Sequence, residues 1–449
     1  MTKRRDIDTR PRPESLADAA LSTVTGRHRG ATLLLILLGM PVLAAVAAFG
    51  YQVAQGGLSV TDLNDQFFWG LYEADLVTFI GFSYGGALVS AILRLTNAQW
   101  RGPIVRLAEG TALITLAIGA VFPIIHLGHP ERVWQLFTRP QLQSPLVWDM
   151  VAILTYLLAT LLLFCLPLIP DAAAMQDRPE LGRARSRLYR LLSLGWRGTP
   201  RQRATLERAL TILAIAIIPI AVMVHTVLSY AFSLTSRPGW HSTIFGPYFV
   251  VGAIYSGVAI VIVAAVVYRK VYGLQQWMSE RSIRSLAYIM VALGALYGYL
   301  FFSEVTTEGY VGSEEAQTLL YGLLLGEYAP LTWAFVALGL VVPILLVAMP
   351  RTRTMEGIGV AALLVAVAMW LKRFLIVVPP LSRPLIGGDA ATYSPTAVEW
   401  TITIGAFAAI PFLLILLFRF LPVLAIDEIE GAEPPAETEP DPASVGAKA

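Results

Sequence analysis

Long, nearly uninterrupted runs of apolar residues recur along the whole chain, with short polar segments between them. A helix needs about 20 apolar residues to cross a hydrocarbon core about 30 Å thick. The runs do not show the short alternating pattern of a membrane barrel. We therefore predict an all-α membrane protein with ten transmembrane helices, called spans 1 to 10. They cover approximately 31–53, 67–93, 105–128, 146–168, 208–234, 245–268, 283–305, 328–349, 356–378 and 397–421.

The composition agrees with this pattern and argues against two classes of function, soluble enzymes and nucleic-acid-binding proteins. The chain is 56% hydrophobic and 14% charged, whereas soluble domains contain about 25% charged residues. That balance argues against a soluble cytoplasmic enzyme. The net charge of +2 gives no reason to expect a nucleic-acid partner. The first apolar run is longer than the core of a signal peptide, so we predict that it is span 1 rather than a cleaved leader.

The distribution of Lys and Arg predicts an orientation. Basic residues concentrate in cytoplasmic loops of membrane proteins. With the N-terminus inside, 27 of the 33 basic residues fall on one side, which we call the inner side, many of them in the 169–207 loop. Only six fall towards the outer side: Arg132, Arg139, Arg237, Lys372, Arg373 and Arg383. We predict a multi-pass protein embedded in the lipid bilayer, with both termini cytoplasmic.

Composition also divides the chain into segments. Residues 1–30 form a polar, basic cytoplasmic segment, and 31–425 contain the spans. Residues 426–449 are acidic and rich in Pro and Ala, so we expect this tail to be disordered. Arginines and leucines alternate within 169–205, which predicts either a helix along the inner leaflet or a solvated loop.

A weak internal repeat predicts how the spans are grouped. Span 2 contains Tyr84-Gly85-Gly86-Ala87 and span 6 contains Tyr255-Ser256-Gly257-Val258, and both spans run from the outer to the inner side. This suggests two parallel four-helix bundles, spans 2–5 and 6–9, flanked by spans 1 and 10. Small residues at helix contacts would give the same pattern without a repeat.

Ionisable residues inside spans cost about 2.5–3.5 kcal/mol each on insertion scales and are candidate functional groups. Span 2 opens with Tyr72, Glu73 and Asp75. At about 100° per residue, the two acids point about 200° apart and cannot face one pocket. Tyr72 and Asp75 share a face. Both acids could instead be interfacial side chains that reach water.

Two histidines and a third acid lie near the same outer edge. His126 and His129 are one helical turn apart at the end of span 3, and Asp149 opens span 4 after Ser144-Pro145. We place Asp149 in the first helical turn, where it could merely cap the helix. Topology brings His126, His129, Asp149, Tyr72 and Asp75 to one depth. Interfacial histidines are the alternative for His126 and His129.

Further polar residues lie deeper in the spans. We list Glu73, Glu109, His225, Glu304 and Arg373 as candidates for a proton pathway. Lys372 stands beside Arg373 and could pair with an acid or extend outward. A structural hydrogen bond between helices would explain His225 equally well.

The few cysteines and histidines limit the cofactors that the chain could bind. A single cysteine, Cys165, excludes a Cys-ligated iron–sulfur cluster. Only His126 and His225 could bind a haem together, and their depths do not match, so we expect no haem and no metal site. An imidazole beside carboxylates suits a quinol, whose hydroxyls lose protons as electrons leave. The electrons must then pass to a partner docked on the outer face.

Several motifs resemble a known family. HLGHPERVW at 126–134 and SPLVWD at 144–149 resemble the signature of NrfD/PsrC-like membrane subunits. Three stretches look like the ActC and ActF subunits of bacterial alternative complex III: LSLGWRG at 192–198, AVMVHTVLSYAFS at 221–233 and PGWHSTIFGPYFVVGAIYSGVA at 238–259. The resemblance covers roughly residues 30–425.

The resemblance implies a function. An ActC-type subunit binds menaquinol beside a periplasmic iron–sulfur/molybdopterin-like subunit, in a complex with multihaem cytochrome c subunits and a paralogous NrfD-like subunit. His126 and Asp149 match the quinol-facing positions and would be catalytic. Tyr72, Asp75, His129 and Arg132 would complete the quinol-binding site. The acids and histidines within the bundles would form proton half-channels.

The sequence departs from the family pattern in two places. His129 replaces the usual Arg of the HLGRP motif, and the small-residue stretch of span 2, 81–86, lacks the histidine expected of many ActC-type chains. Two alternatives therefore stay open. The chain could be an ActF-type anchor and proton-conducting subunit without catalysis, or a secondary transporter, although no clearly broken pair of helices supports a transporter.

Overall fold

A computed structural model of the chain describes residues 16–26, 29–98, 100–235, 237–240, 242, 244–384 and 390–430. Within these ranges the structure is helical and contains no strand. Ten helices are long and apolar enough to cross a membrane, which confirms the predicted fold class. They are Gly30–Ala54, Leu71–Leu95, Gly102–His126, Pro145–Met175, Pro200–Ser233, Phe245–Val271, Glu280–Val311, Ala329–Ala348, Met355–Leu381 and Ala397–Phe420.

Several spans depart from one continuous α-helix. Span 3 breaks after Gly119 and resumes as a short helix, Phe122–His126, with a proline in its first turn. Span 4 changes from Pro145–Cys165 to Leu168–Met175 around Pro167. Proline cannot donate a backbone hydrogen bond, which favours such breaks. Span 8 contains a π-helical turn at Val336–Val341.

The spans form the two predicted bundles. Spans 2, 3, 4 and 5 pack against one another in a ring, and spans 6, 7, 8 and 9 form a second ring. The bundles meet mainly through spans 2 and 6, with spans 5 and 9 beside them. Span 1 packs along span 10, which in turn contacts spans 2 and 3. Span 2 is therefore the central helix, and 94% of its most apolar window is buried.

Glycines allow spans 2 and 6 to approach closely. A Cβ atom added to Gly85 would overlap the carbonyl group of Gly257, and one added to Gly257 would overlap the backbone nitrogen of Gly85. Gly86 faces the backbone of span 3 at Ala108 in the same way. The small residues of the apparent repeat are thus contact residues between helices, as the alternative explanation of that pattern expects.

On the inner side, polar contacts link the spans to one another and to the C-terminal segment. A helix at Ile426–Glu430 brings Glu428 to Arg94, and the fully buried Arg106 pairs with Asp171 at 2.7 Å. The first five residues of the predicted tail are therefore helical, and 431–449 lie outside the described residues. A second helix, Leu16–Thr25, belongs to the predicted N-terminal segment, whose residues 1–15, 27 and 28 are likewise not described.

On the outer side, residues 390–396 cover the start of span 2. The Tyr393 hydroxyl donates to the carboxylate of Glu399 and accepts a hydrogen bond from the backbone nitrogen of Leu71 at 3.0 Å. Burial, reinforced by the Glu399 charge, raises the pKa of Tyr393 well above its ordinary value. This loop fixes where span 2 begins and hence where its first polar residues lie.

Candidate functional site

The first turns of span 2 send their two acids to different neighbours. Glu73 faces span 3, where its Oε2 lies 3.8 Å from Nδ1 of His126. Asp75 faces spans 9 and 10 instead. The expectation that these two acids cannot share a pocket is confirmed by these contacts.

His126 is held in one orientation by the backbone. It ends the short helix that follows the break in span 3, and its Nε2 lies 2.9 Å from the carbonyl oxygen of Phe68. A carbonyl only accepts, so Nε2 carries the hydrogen. In the neutral ring, Nδ1 then has a free lone pair, and Oε2 of Glu73 lies 3.8 Å from this nitrogen. This nitrogen can accept a proton from a bound ligand.

Asp149 completes a group of three titratable side chains, which we call the outer triad: Glu73, His126 and Asp149. Asp149 is buried near the outer end of span 4, which packs against span 3, and its Oδ1 has no hydrogen-bond partner. The expectation that Asp149 occupies the first turn of span 4 is wrong. Ser144 is the N-cap, so Asp149 lies in the second turn, too far along the helix to cap it.

Tyr72 connects the outer triad to span 1. Its hydroxyl donates to Oε1 of Gln52 at 2.7 Å, and Nε2 of Gln52 donates to the carbonyl of Ile125 at 2.9 Å. The Tyr72 ring lies 6.5 Å from that of His126. Sequence reasoning missed Gln52, although a buried amide inside an otherwise apolar span was a visible signal.

Asp75 makes its hydrogen bonds to spans 9 and 10, and none of those bonds reaches a member of the outer triad. It is fully buried and accepts hydrogen bonds from Nε1 of Trp370 at 2.8 Å and from Oγ1 of Thr403 at 2.5 Å. Both donors come from spans 9 and 10 because Asp75 points to the opposite side of span 2 from Glu73. Glu73, which we expected in the proton pathway, therefore lies beside His126, where we expected Asp75.

His129 and Arg132 lie on the outer surface, beyond the end of span 3. Their side chains are 58% and 61% exposed, and both contact Glu131, at 3.1 Å and 3.8 Å. A backbone hydrogen bond at Glu131, assisted by these two neighbours, lowers the pKa of its carboxyl group. Neither residue contacts the outer triad, so the predicted contribution of both to a buried quinol site is not supported by their contacts.

The second bundle holds a different arrangement at its outer end. Nζ of Lys372 lies 3.8 Å from Oε2 of Glu304. The same ammonium group lies 5.0–5.9 Å from the ring centres of Phe301, Tyr248 and Phe335. Lys372 therefore pairs with an acid inside an aromatic cage rather than extending outward.

His225 and Arg373 lie between the two bundles. Both ring nitrogens of His225 lack hydrogen-bond partners, and its ring packs 4.2 Å from that of Tyr84. Arg373 donates from Nη2 to Oγ of Ser256 at 2.8 Å, while its Nη1 has no partner. The two side chains line one small gap together with Tyr248.

Glu109 lies near the inner end of span 3, where it accepts a hydrogen bond from Ser90 at 2.6 Å. The residues expected to form a proton pathway are thus found at separate places: Glu73 in the outer triad, Glu304 in the second bundle, His225 and Arg373 between the bundles, and Glu109 near the inner side. Within the described ranges, no direct hydrogen bond links any two of these five residues.

The outer triad consists of groups that can bind or release a proton. It combines an oriented imidazole with two buried carboxyl groups, and no Lys or Arg in the described part of the chain pairs with Glu73 or Asp149. Leu127, Leu146 and Trp148 beside it are 38%, 60% and 43% exposed, which makes its surroundings lipophilic. These features fit a lipophilic proton donor.

Comparison with known proteins shows that the chain matches a protein family. Residues 59–383 match the family model described as "Polysulphide reductase, NrfD". That range includes spans 2 to 9 and the whole outer triad.

Three curated relatives are similar over nearly their full lengths. A putative dimethyl sulfoxide reductase membrane subunit of Halobacterium salinarum is 26% identical, over 93% of this chain and 95% of its own. A selenate reductase subunit of Mesobacillus selenatarsenatis is 25% identical, over 85% and 93%. An Hdr-like menaquinol oxidoreductase integral membrane subunit of Archaeoglobus fulgidus is 24% identical, over 86% and 94%.

Proposed function

We propose a function on the premise that this multi-pass membrane chain belongs to the polysulphide reductase NrfD family. The chain is the membrane subunit of a quinol-oxidising electron-transfer complex. It binds a quinol, with menaquinol as the expected species, at the outer triad. One relative is named as a menaquinol oxidoreductase subunit, which supports this choice of substrate.

The observation that carries the proposal is the oriented His126. Its Nε2 is committed to the Phe68 carbonyl, which leaves Nδ1 to accept one hydroxyl proton of the quinol. Asp149, with a buried oxygen that lacks a partner, can accept the other. Glu73 interacts electrostatically with both and can relay a proton from either group. General bases of this kind contribute about 10²–10⁴-fold to a rate.

The electrons follow a different route from the protons. The single cysteine argues against an iron–sulfur cluster held by this chain. We therefore propose that a partner with an iron–sulfur centre docks on the outer face near His126. Two relatives are named as subunits of dimethyl sulfoxide and selenate reductases, which is consistent with such an assembly.

The finer assignment is an ActC-type subunit of an alternative complex III. It is supported by the sequence stretches at 192–198, 221–233 and 238–259. In this assignment the complex includes multihaem cytochromes and a paralogous subunit in a bacterial plasma membrane, with both termini of this chain cytoplasmic. An ActF-type anchor would lack quinol turnover at the outer triad, so the experiment below separates the two assignments.

The test measures quinol oxidation by membranes that contain the assembled complex. We expect His126→Ala and Asp149→Asn each to reduce the rate by about 10²-fold or more, because each removes a proton acceptor. His129→Ala is the matched control, since His129 is exposed and lies outside the outer triad. Wild-type rates in both site variants, with the complex assembled, would refute the proposal.

Proton translocation is a separate part of the proposal. Glu109, His225, Glu304 and Arg373 supply buried polar groups at several depths, which supports a pathway completed by water. Reconstituted complex should then move more protons than the quinol itself releases. Equality between the two quantities would rule this part out and leave the quinol site unaffected.

A further inference from the structure

A groove opens on the inner side of the molecule, far from the outer triad. Its volume is about 530 Å³. It lies between the end of the Leu16–Thr25 helix, the start of span 1 and the end of span 10. A fourth wall comes from the Arg183–Leu192 helix, the segment whose arginines and leucines suggested contact with the inner leaflet.

The charged residues that line the groove are both arginines. Arg185 and Arg419 face it, and its described lining includes no acidic residue. Nη1 of Arg185 donates to the carbonyl of Val24 at 2.9 Å, and its guanidinium lies 6.0 Å from the ring centre of Phe420. These contacts hold Arg185 in place and leave further donors of its guanidinium for a ligand. The described lining thus presents two positive charges without a compensating acid.

One edge of the groove continues onto the lipid-facing surface of span 1. Leu33 and Ile36 line the groove and are 58% and 62% exposed. Met40, 59% exposed, lies one turn further along the same face. An apolar stripe therefore leads from the arginines towards the membrane interior.

We propose that this groove binds an anionic phospholipid, with its phosphate at Arg185 and Arg419 and an acyl chain along Leu33, Ile36 and Met40. Arginine guanidinium groups suit phosphate oxygens because they donate two parallel hydrogen bonds. Basic pockets between transmembrane helices bind anionic lipid head groups for the same reason. The bound lipid would join the Leu16–Thr25 helix to spans 1 and 10.

The apolar stripe distinguishes a lipid from free phosphate. A free anion would use the arginines alone, whereas a phospholipid also covers the exposed leucine and isoleucine of span 1. A zwitterionic lipid offers a phosphate but adds a cationic group, which two arginines disfavour. The occupant that satisfies both the charge and the stripe is an anionic lipid.

The experiment is native mass spectrometry of the full-length protein titrated with phosphatidylglycerol or phosphatidylcholine. We expect one tightly retained phosphatidylglycerol molecule. Arg185→Gln/Arg419→Gln should weaken it by roughly 30-fold, as expected from about 1 kcal/mol for each basic residue. The charge-conserving variant Arg185→Lys/Arg419→Lys should retain most of the binding, and excess inorganic phosphate should not displace the lipid.

Two further variants distinguish a loss of lipid binding from a loss of folding. Arg419→Gln alone removes an exposed side chain and should weaken the lipid by roughly fivefold. Arg281→Gln, an exposed arginine of the inner side that lies outside the groove, should have no effect. Equal retention in the double glutamine variant, equal binding of phosphatidylcholine, or displacement by phosphate alone would each overturn the proposal. None of these results bears on the quinol site.

Discussion

The outer ends of the two bundles both contain buried acids, but among the described residues only the acid of the second bundle is paired with a lysine. In spans 2–5, Glu73 lies beside His126, a buried Asp149 oxygen has no partner, and no described ion pair of these three residues includes a Lys or Arg. In spans 6–9, Glu304 is compensated by Lys372, which is also surrounded by three aromatic rings.

We propose that this difference separates a site of proton exchange from a charge pair that stabilises the fold. A buried acid paired with a cation has little tendency to exchange its proton, because the pair stabilises both charges. Acids and an imidazole without a cation can take up and release protons when a ligand arrives. In this proposal the quinol binds in the first bundle, and Glu304 of the second bundle could carry a proton only when its pairing with Lys372 is relaxed.

The largest effect on stability is expected in the second bundle. Lys372→Met should destabilise the protein by about 3–5 kcal/mol, because it leaves the Glu304 carboxylate buried without its cation. Thermal unfolding of the purified protein in nanodiscs measures this loss.

The double variant Lys372→Met/Glu304→Gln is the matched control for that loss. It removes both charges together and should recover most of the stability. If the single and double variants were equally unstable, the pair would not be a compensated unit, and the contrast between the bundles would disappear.

A smaller effect is expected from the hydroxyl that supports the outer triad. Tyr72→Phe removes the hydrogen bond to Gln52, which should cost about 1 kcal/mol and reduce quinol oxidation by less than tenfold. Steady-state rates of the assembled complex measure it. Tyr51→Phe is the control, since Tyr51 is 52% exposed. A loss as large as that expected for His126→Ala would mean that Tyr72 itself exchanges protons.

Much of the fold could be predicted from the sequence because the membrane imposes simple rules. Apolar run length located all ten spans, and the small residues around Gly85 and Gly257 marked the contact between the bundles. Positions within a helix were less certain. Pro145 marked the start of span 4 correctly, but Asp149 lies one turn further along that helix than expected.

The members of the outer triad were harder to predict. Which acid of span 2 meets His126 depends on contacts with other helices, and sequence spacing does not reveal those contacts. Helical geometry showed that Glu73 and Asp75 must diverge, yet it could not say which one meets His126. That depended on Trp370 and Thr403, which occupy the other side of span 2. Gln52 was missed because span 1 was treated as a flanking helix, whereas it supplies a buried amide to Tyr72.

The divergence of these two acids gives the most direct test of the central claim, that the outer triad accepts the protons of a quinol. The measurement compares quinol oxidation by assembled complexes carrying Glu73→Gln or Asp75→Asn. The account predicts a loss of about 10²-fold for Glu73→Gln and a rate within a few-fold of wild type for Asp75→Asn. A large loss for Asp75→Asn with normal activity for Glu73→Gln would contradict it.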